Sequence, residues 1–130
     1  MTNISKVQVE KLQQLSPEKR YKHSIKRICD FEEMYSILDE NDSWELAQVE
    51  DKVAFFIWPA KEYAEPFLQG KWATCKVEKI TIEEFHSEIL EFLQKHQYLL
   101  NVFAVSNLSG FVVTVDEFIS DLESEMENYD

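Results

Sequence analysis

VAFFIWPAKEYAEPFLQG, residues 53–70, is the stretch that decides how this chain folds. Its first six residues, 53–58, carry no polar side chain. A run of that length, rich in aromatic residues and followed by a turn signal, is typical of a strand that is buried on both faces. Pro59 then holds Trp58 in an extended conformation and suits the first turn of a helix. The stretch therefore predicts a central strand that leads into a helix.

The predicted helix is short. Its apolar residues recur at helical spacing, at Tyr63, Ala64, Phe67 and Leu68. Pro66 removes one helical hydrogen bond, so the helix should kink or shorten there. Gly70 follows at a position where a left-handed C-terminal cap is common.

The composition bounds the class of protein. A chain of 130 residues is expected to form one domain, with a core built around large rings because 13% of its residues are aromatic. Gly70 and Gly110 are its two glycines. A phosphate-binding loop or a dinucleotide fingerprint needs several glycines close together, so we expect no nucleotide cofactor.

The sequence also predicts a compartment. Cys29 and Cys75 form no pattern, no apolar run approaches the ~20 residues of a membrane span, and the first fifteen residues are polar. We therefore expect a reduced, cytoplasmic protein with no membrane partner.

Charge is distributed unevenly along the chain, whose net charge is −12. Residues 1–30 hold seven Lys or Arg against three acidic residues, whereas residues 31–130 hold six against twenty-two. The acidic bulk argues against nucleic acid as a partner and suits a basic one. The simpler interpretation of such acidity is solubility.

Local signals predict the remaining elements of the first half. Ser5 with Gln8, and Ser16 ahead of Pro17, begin two helices, the second with a basic outer side. That outer side consists of Lys19, Arg20, Lys22, Lys26 and Arg27. Residues 34–39 and 44–49 alternate as strands, and a turn at Asp51-Lys52 would complete an antiparallel meander with the central strand.

The second half predicts a strand over residues 72–80, a helix over 82–96, strands over 98–105 and 111–115 joined through 106–110, and a final helix. Thr81 and Thr114 each open a helix with a capping box. The expected order is ααβββαβαββα. This order predicts an α+β domain with a mostly antiparallel sheet of five to six strands and helices packed against it.

The sequence gives little support for a metal-binding site or for a nucleophilic catalytic site. His86 and His96 share a helix, but ten residues span about 15 Å, too far for one ion. There is no G-x-S-x-G motif, and a Cys–His pair would have to be assembled by the fold. His96, on the apolar stripe of its helix, is expected at the edge of the core. We expect no metal and no cofactor.

Two groups of side chains are candidates for a site. Glu62 and Glu65 flank Tyr63 and would suit acid–base work if burial raised the pKa of one carboxyl, although a solvated edge is the commoner outcome. Trp44, Trp58 and Trp72 are either core residues or, in part, a stacking surface beside Tyr63.

As a set, these residues resemble an uncharacterised bacterial family known as domain of unknown function 2750, over nearly the whole chain. The resemblance is carried by Tyr21, the DFEE run at residues 30–33, Trp44 with Leu46-Ala47, Trp58-Pro59, Glu62-Tyr63-Ala64, Trp72, the helix over 82–93 and Val102-Phe103. It implies a small, single-domain bacterial protein. It supplies no activity, cofactor or catalytic residue.

The sequence therefore predicts a non-enzymatic interaction module with a protein partner, by analogy with small acidic immunity proteins. The alternative is a small-molecule-binding domain or modest enzyme with a pocket near Trp58, Tyr63 and Trp72. The oligomeric state stays open. The candidate binding surface consists of Trp58, Glu62, Tyr63, Glu65, Trp72 and, on the last helix, Glu123, Glu125 and Glu127.

Overall fold

The computed structural model describes residues 4–105 and 110–128. Most of the predicted connection over residues 106–110 therefore lies outside the described residues. No helix formed by the described residues has both the length and the apolar character needed to cross a membrane.

Two capped helices open the described chain. Helix α1 spans Lys6–Gln13, and the Ser5 hydroxyl accepts a hydrogen bond from the Gln8 N–H at 3.1 Å. Helix α2 spans Pro17–Phe31 and has the Ser16 hydroxyl as its N-cap. Both caps satisfy amide groups that the first turn of a helix leaves without partners, as the sequence predicted.

Arg20 departs from the predicted basic outer side of α2. Its residue surface is only 3% exposed, because its guanidinium turns inward. Nε donates to the carbonyl oxygen of Phe103 at 3.2 Å, and Nη1 donates to that of Leu15 at 2.6 Å. The prediction for Arg20 was wrong because backbone carbonyls that are distant in the sequence provide acceptors inside the protein.

The described strands form two sheets instead of the single, mostly antiparallel sheet that was predicted. The strands are β1 (Glu33–Leu38), β2 (Leu46–Val49), β3 (Lys52–Ile57), β4 (Lys76–Thr81), β5 (Leu99–Val102) and β6 (Phe111–Val113). β1 and β4 form an antiparallel pair, and the other four lie in the order β2-β3-β5-β6. The four-stranded sheet is mixed because β3 and β5 are parallel. The protein is thus α+β, with smaller sheets than expected.

The predicted meander forms only in part. β2 and β3 make an antiparallel hairpin, in which Val49 pairs with Lys52. The turn is therefore Glu50-Asp51, one residue earlier than predicted. β1 pairs instead with the distant β4 and meets the end of β3 through a backbone bridge between Tyr35 and Trp58. Alternation along a strand indicates which face is buried, but not which strand lies beside it.

β3 is the central strand that the sequence predicted. It lies between β2 and β5. Each residue from Ala54 to Trp58 is at most 1% exposed, while Val53 is half-buried. A run without polar alternation leaves no side that could face water, so both faces of the strand are covered.

The two prolines and Gly70 shape the segment after β3. Helix α3 is a single turn, Lys61–Ala64, because Pro66 places the chain in a 3-10 segment over Glu65–Phe67. A second 3-10 segment covers Gly70–Trp72. Gly70 has a φ of 58°, as expected of glycine, but it opens this segment instead of capping α3. Trp72 therefore precedes β4 and does not belong to a strand, contrary to the prediction.

The predicted helix over residues 82–96 is divided. Helix α4 covers Ile82–Glu84, a π turn covers Phe85–Ile89, and helix α5 covers Leu90–His96. His96 is exposed and stacks on Tyr98 with ring centroids 5.0 Å apart, so its predicted place at the edge of the core was wrong. The helix ends at His96, three residues after the fully buried Leu93.

The last helix completes the core. Helix α6 spans Val115–Glu127 and begins with the predicted capping box of Thr114 and Glu117. Phe118 and Leu122 are buried from it. α6 packs against α2, α5 and β5, so it closes the helical side of the four-stranded sheet.

Candidate functional site

A cleft of about 950 Å³ opens between β2 and the second 3-10 segment. It is lined by Glu45, Leu46, Ala47, Gln48, Val49, Phe56, Phe67, Gln69, Gly70, Lys71, Trp72, Asn101 and Ala104. Five consecutive lining residues, 45–49, comprise β2 and the residue that precedes it. Because neighbouring residues of a strand point to opposite faces, the cleft follows the length of this strand and not only one of its faces.

Aromatic rings form one wall of the cleft. The Phe56 ring centroid lies 5.1 Å from that of Phe67 and 5.3 Å from that of Trp72, and Phe67 and Trp72 stack at 5.4 Å. Behind them, Trp58 stacks on Phe56 at 5.3 Å. Phe56 and Phe67 are buried, so the half-buried Trp72 ring, which packs on both, is the part of this wall that can contact an apolar or aromatic group.

Trp58 supports this wall from inside the core. It is fully buried, and its indole Nε1 donates to the carbonyl oxygen of Ala104 at 3.0 Å. Trp58 thus contributes no exposed surface, whereas Trp72 is half-buried and faces the cleft. Of the predicted tryptophans, Trp72 is the one placed to contact a ligand.

Asn101 introduces a polar group into this surface. It is 3% exposed, and it lies on β5 directly beside Phe56 of β3. Its side-chain Oδ1 accepts a hydrogen bond from the Gly110 N–H at 2.7 Å. That contact fixes the amide orientation, since an N–H must meet the oxygen and not the nitrogen. The Asn101 amide is therefore a preoriented group at the cleft.

Glu45 and Lys71 are the ionisable side chains among the described lining residues. The Lys71 Nζ lies 4.7 Å from the centroid of the Trp72 ring. Glu45 accepts a hydrogen bond from the buried Cys75 thiol, with Sγ and Oε1 3.6 Å apart. Burial and the nearby Glu45 raise the pKa of Cys75 to about 11, so this thiol is not a ready nucleophile.

The predicted Glu62–Tyr63–Glu65 group lies outside the cleft. Tyr63 is 1% exposed, and its ring stands edge-on to that of His23 with centroids 5.9 Å apart. Its hydroxyl has no hydrogen-bond partner among the described residues, and burial raises its pKa. Glu62 is half-buried and Glu65 is exposed. The two carboxylates therefore lack the deep burial that acid–base work would require.

The acidic residues of α6 lie in a different part of the molecule. Glu123 and Glu127 are exposed, while Glu125 is half-buried. Glu125 lines a second cavity of about 550 Å³ between α2 and α6, which Lys22 and Lys26 also line. The basic side of α2 and the acidic α6 are thus neighbours within one chain.

Sequence reasoning missed most of the cleft. The sequence places Phe56 in a strand and Phe67 on a helix and gives no signal for Glu45 or Lys71, and only the fold brings these four residues together. Asn101 carried a signal, because it is the one polar residue within the run LLNVFAV at residues 99–105. A buried polar residue in a strand usually has a hydrogen-bond partner or a functional role.

The lining residues of the cleft carry several groups that can contact a ligand. No lining residue is a His, Cys, Ser or Asp among those described, and no three metal-binding side chains are grouped within residues 4–105 and 110–128. The lining offers aromatic contact, one preoriented amide, one carboxylate and one ammonium group.

A search of curated proteins and a search of solved structures each found no match to the chain. A family model does match, over residues 21–122, and its description is protein of unknown function (DUF2750). This range includes most of α2, all six strands and most of α6. The chain belongs to the DUF2750 family of proteins of unknown function, as its residues had indicated.

Proposed function

We propose that this chain is a non-enzymatic protein-interaction module of the bacterial cytoplasm and that the cleft beside β2 receives its partner. The observation that carries the proposal is the position of the cleft, with rigid aromatic rings on one side and an edge strand on the other. Aromatic anchors and exposed strand edges are two surfaces that proteins commonly use to recognise other chains.

The charge of the chain supports a basic partner. The net charge is −12, and the ion pairs of Lys22 with Glu18 and of Lys76 with Asp42 are both exposed. A field of that sign attracts basic proteins and accelerates their encounter with the cleft. The analogy with small acidic immunity proteins rests on this charge, the small size and the binding character of the lining.

Site-specific photo-crosslinking in the native host tests the proposal. A benzophenone amino acid at Gln69, in the cleft, should crosslink a defined protein that mass spectrometry identifies. The same group at Glu83, exposed on α4, serves as the control. Trp72→Ala should abolish the crosslink without changing the circular dichroism spectrum. Equal products from both positions, or none from position 69, would contradict the proposal.

A small-molecule-binding domain or modest enzyme is the second candidate. The observation in its favour is the cleft volume of about 950 Å³, since small-molecule pockets commonly measure ~300–1,000 Å³. The candidate predicts a metabolite that copurifies with the protein under native mass spectrometry and is lost from Trp72→Ala. A protein crosslink at position 69 without any such mass favours the interaction module.

A further inference from the structure

The Trp72 ring carries an ammonium group on one of its faces. Phe67 stacks on the ring with centroids 5.4 Å apart, and Phe56 meets it edge-on at 5.3 Å. The Lys71 Nζ lies over the ring, 4.7 Å from its centroid. Because the stacked Phe67 covers one face, Lys71 occupies the other, beside the cleft that both Lys71 and Trp72 line. Indole is the aromatic ring that attracts cations most strongly.

The contact between Lys71 and Trp72 does not depend on a carboxylate. Among the described residues, neither Lys71 nor Glu45 belongs to an ion pair, although both line the cleft. The Lys71 side chain is exposed and has water available to it, yet its ammonium group lies against the indole. This face of the ring therefore fits an organic ammonium group.

Glu45 places a carboxylate in the same cleft. Its backbone N–H donates to the carbonyl oxygen of Ile37 at 3.0 Å, and its Oε1 accepts from the Cys75 thiol, so the side chain is held in place. The Cys75 N–H in turn donates to the carbonyl oxygen of Trp72 at 3.0 Å. Cys75 thus links the carboxylate to the segment that carries the indole. A carboxylate and an indole face are both complementary to a cation.

From this arrangement we infer that the cleft binds a lysine or arginine side chain of the partner protein. This side chain replaces the Lys71 ammonium group on the Trp72 ring and approaches the Glu45 carboxylate. Lys71 is then a tethered competitor for the same ring face. The inference rests on the proposed function, and it names the residue type by which the partner is recognised. The net charge of −12 favours the encounter with such a residue.

Competition by Lys71 predicts that its removal strengthens the binding of an external cation, because the ring face becomes free. A cation–π contact at an exposed site corresponds to about a two- to fivefold change in affinity. Loss of a like charge acts in the same direction, but salt screens it. At about 1 M salt charges act over only about 3 Å, so an increase in affinity that persists there reports competition for the ring.

Binding is measured by ¹⁵N NMR of the whole chain. The probe is Nα-acetyl-lysine methylamide, and the signal is the indole N–H of Trp72, assigned with Trp72→Phe. The expected result is a saturable shift in the wild type and binding about two- to fivefold tighter to Lys71→Gln, at low and at high salt. The matched control is Lys95→Gln, which removes an exposed lysine from α5 and should bind as the wild type does.

Two further comparisons test the chemistry of the ligand. Nα-acetyl-norleucine methylamide keeps the alkyl chain without the ammonium group, so it should bind about fivefold more weakly than the lysine probe. Glu45→Gln should weaken the lysine probe by about two- to fivefold at low salt. Glu91→Gln removes the same charge from an exposed position on α5 and should leave the affinity unchanged.

Three results would overturn the inference. The first is equal affinity of the lysine probe for the wild type and for Lys71→Gln. The second is equal binding of the lysine and norleucine probes. The third is spermidine that saturates the Trp72 signal where the lysine probe gives no shift, because the site would then belong to a free polyamine and not to a partner protein.

This inference and the proposed function fail separately. A defined crosslink from position 69 without selective binding of the lysine probe would leave the interaction module standing and exclude the cation site. Selective binding of the probe without any crosslink would contradict the interaction module and, with it, the assignment of the cation to a partner protein.

Discussion

Tyr35 and Trp58 exchange both of their backbone hydrogen bonds, N–H to carbonyl, at 2.8 Å each. This pair joins the β1–β4 sheet to the end of the central strand β3. Pro59, the next residue, has no N–H and cannot extend the pairing. The two sheets therefore meet at the residue whose indole also supports the aromatic wall of the cleft.

Trp58→Ala should lower the free energy of unfolding by about 3–5 kcal/mol, as large aromatic truncations in cores do. Trp58 is fully buried and contacts Phe56 and Phe67. Trp58→Phe keeps a ring but loses the Nε1 hydrogen bond to Ala104, so its free energy of unfolding should lie between those of the wild type and Trp58→Ala. Urea denaturation measures all three, and an unchanged midpoint for Trp58→Ala would show that the indole is not part of the core.

The two glycines should respond differently to alanine. A Cβ added at Gly110 would lie 2.0 Å from the carbonyl oxygen of Val102, so Gly110→Ala must displace backbone and should destabilise by several kcal/mol. At Gly70 the space is open, so alanine should destabilise the protein only through the strained φ of 58°, by roughly 1 kcal/mol. Thermal unfolding of both variants shows which one loses more stability. A smaller loss for Gly110→Ala than for Gly70→Ala would contradict the close contact of Gly110 with β5.

The stability of the chain should depend on pH through His23. Burial lowers its pKa from the ordinary 6.5, and the nearby Arg27 and Lys26 lower it further. The His23 Nε2 atom and the hydroxyl of Tyr63, whose ring lies edge-on to His23, are both buried and find no hydrogen-bond partner in the described part of the chain. The fold thus favours neutral His23. The stability this provides is complete above about pH 6.5 and is lost as the pH falls towards the lower pKa of the folded state.

His23→Gln should therefore flatten the decrease in the free energy of unfolding between neutral and mildly acidic pH. His86→Gln, at an exposed position, is the matched control and should keep the wild-type slope. Denaturation at a series of pH values gives the three slopes. Identical slopes for wild type and His23→Gln would exclude His23 as the origin.

The acidic end of α6 should steer association more than it stabilises the fold. Glu125 and Glu127 lie in the last turn of α6, where negative charge opposes the helix dipole. Replacement of Glu123, Glu125 and Glu127 by Gln should therefore change stability by only a few tenths of a kcal/mol. The association rate with the protein crosslinked at position 69 should fall, and its salt dependence should weaken. Stopped-flow measurements at low and high salt give both quantities.

Three exposed glutamates on the α4–α5 segment provide the control for that variant. Glu83, Glu88 and Glu91 replaced by Gln remove the same net charge from another surface. An equal loss of rate in both triple variants would assign the effect to net charge alone. If neither triple variant associates more slowly than the wild type, the acidic end of α6 contributes only to solubility.

Some features of this protein follow from the sequence by itself. The apolar run at residues 53–58 requires burial on both faces, wherever the strand lies, because it offers no polar side chain to water. Ser5, Ser16, Thr81 and Thr114 cap their helices through contacts within three residues, and Pro66 shortens α3 through its own ring. These are local effects, and local sequence determines them.

Only the tertiary structure determined which strands pair and which distant side chains lie next to one another. The pairing of β1 with β4, the parallel contact of β3 with β5 and the inward turn of Arg20 all join residues far apart in the chain. The cleft has the same origin, since Glu45, Phe56, Trp72 and Asn101 come from four separate segments. Local periodicity sets which face of an element is apolar, but the element that covers that face is chosen by the packing of the whole core.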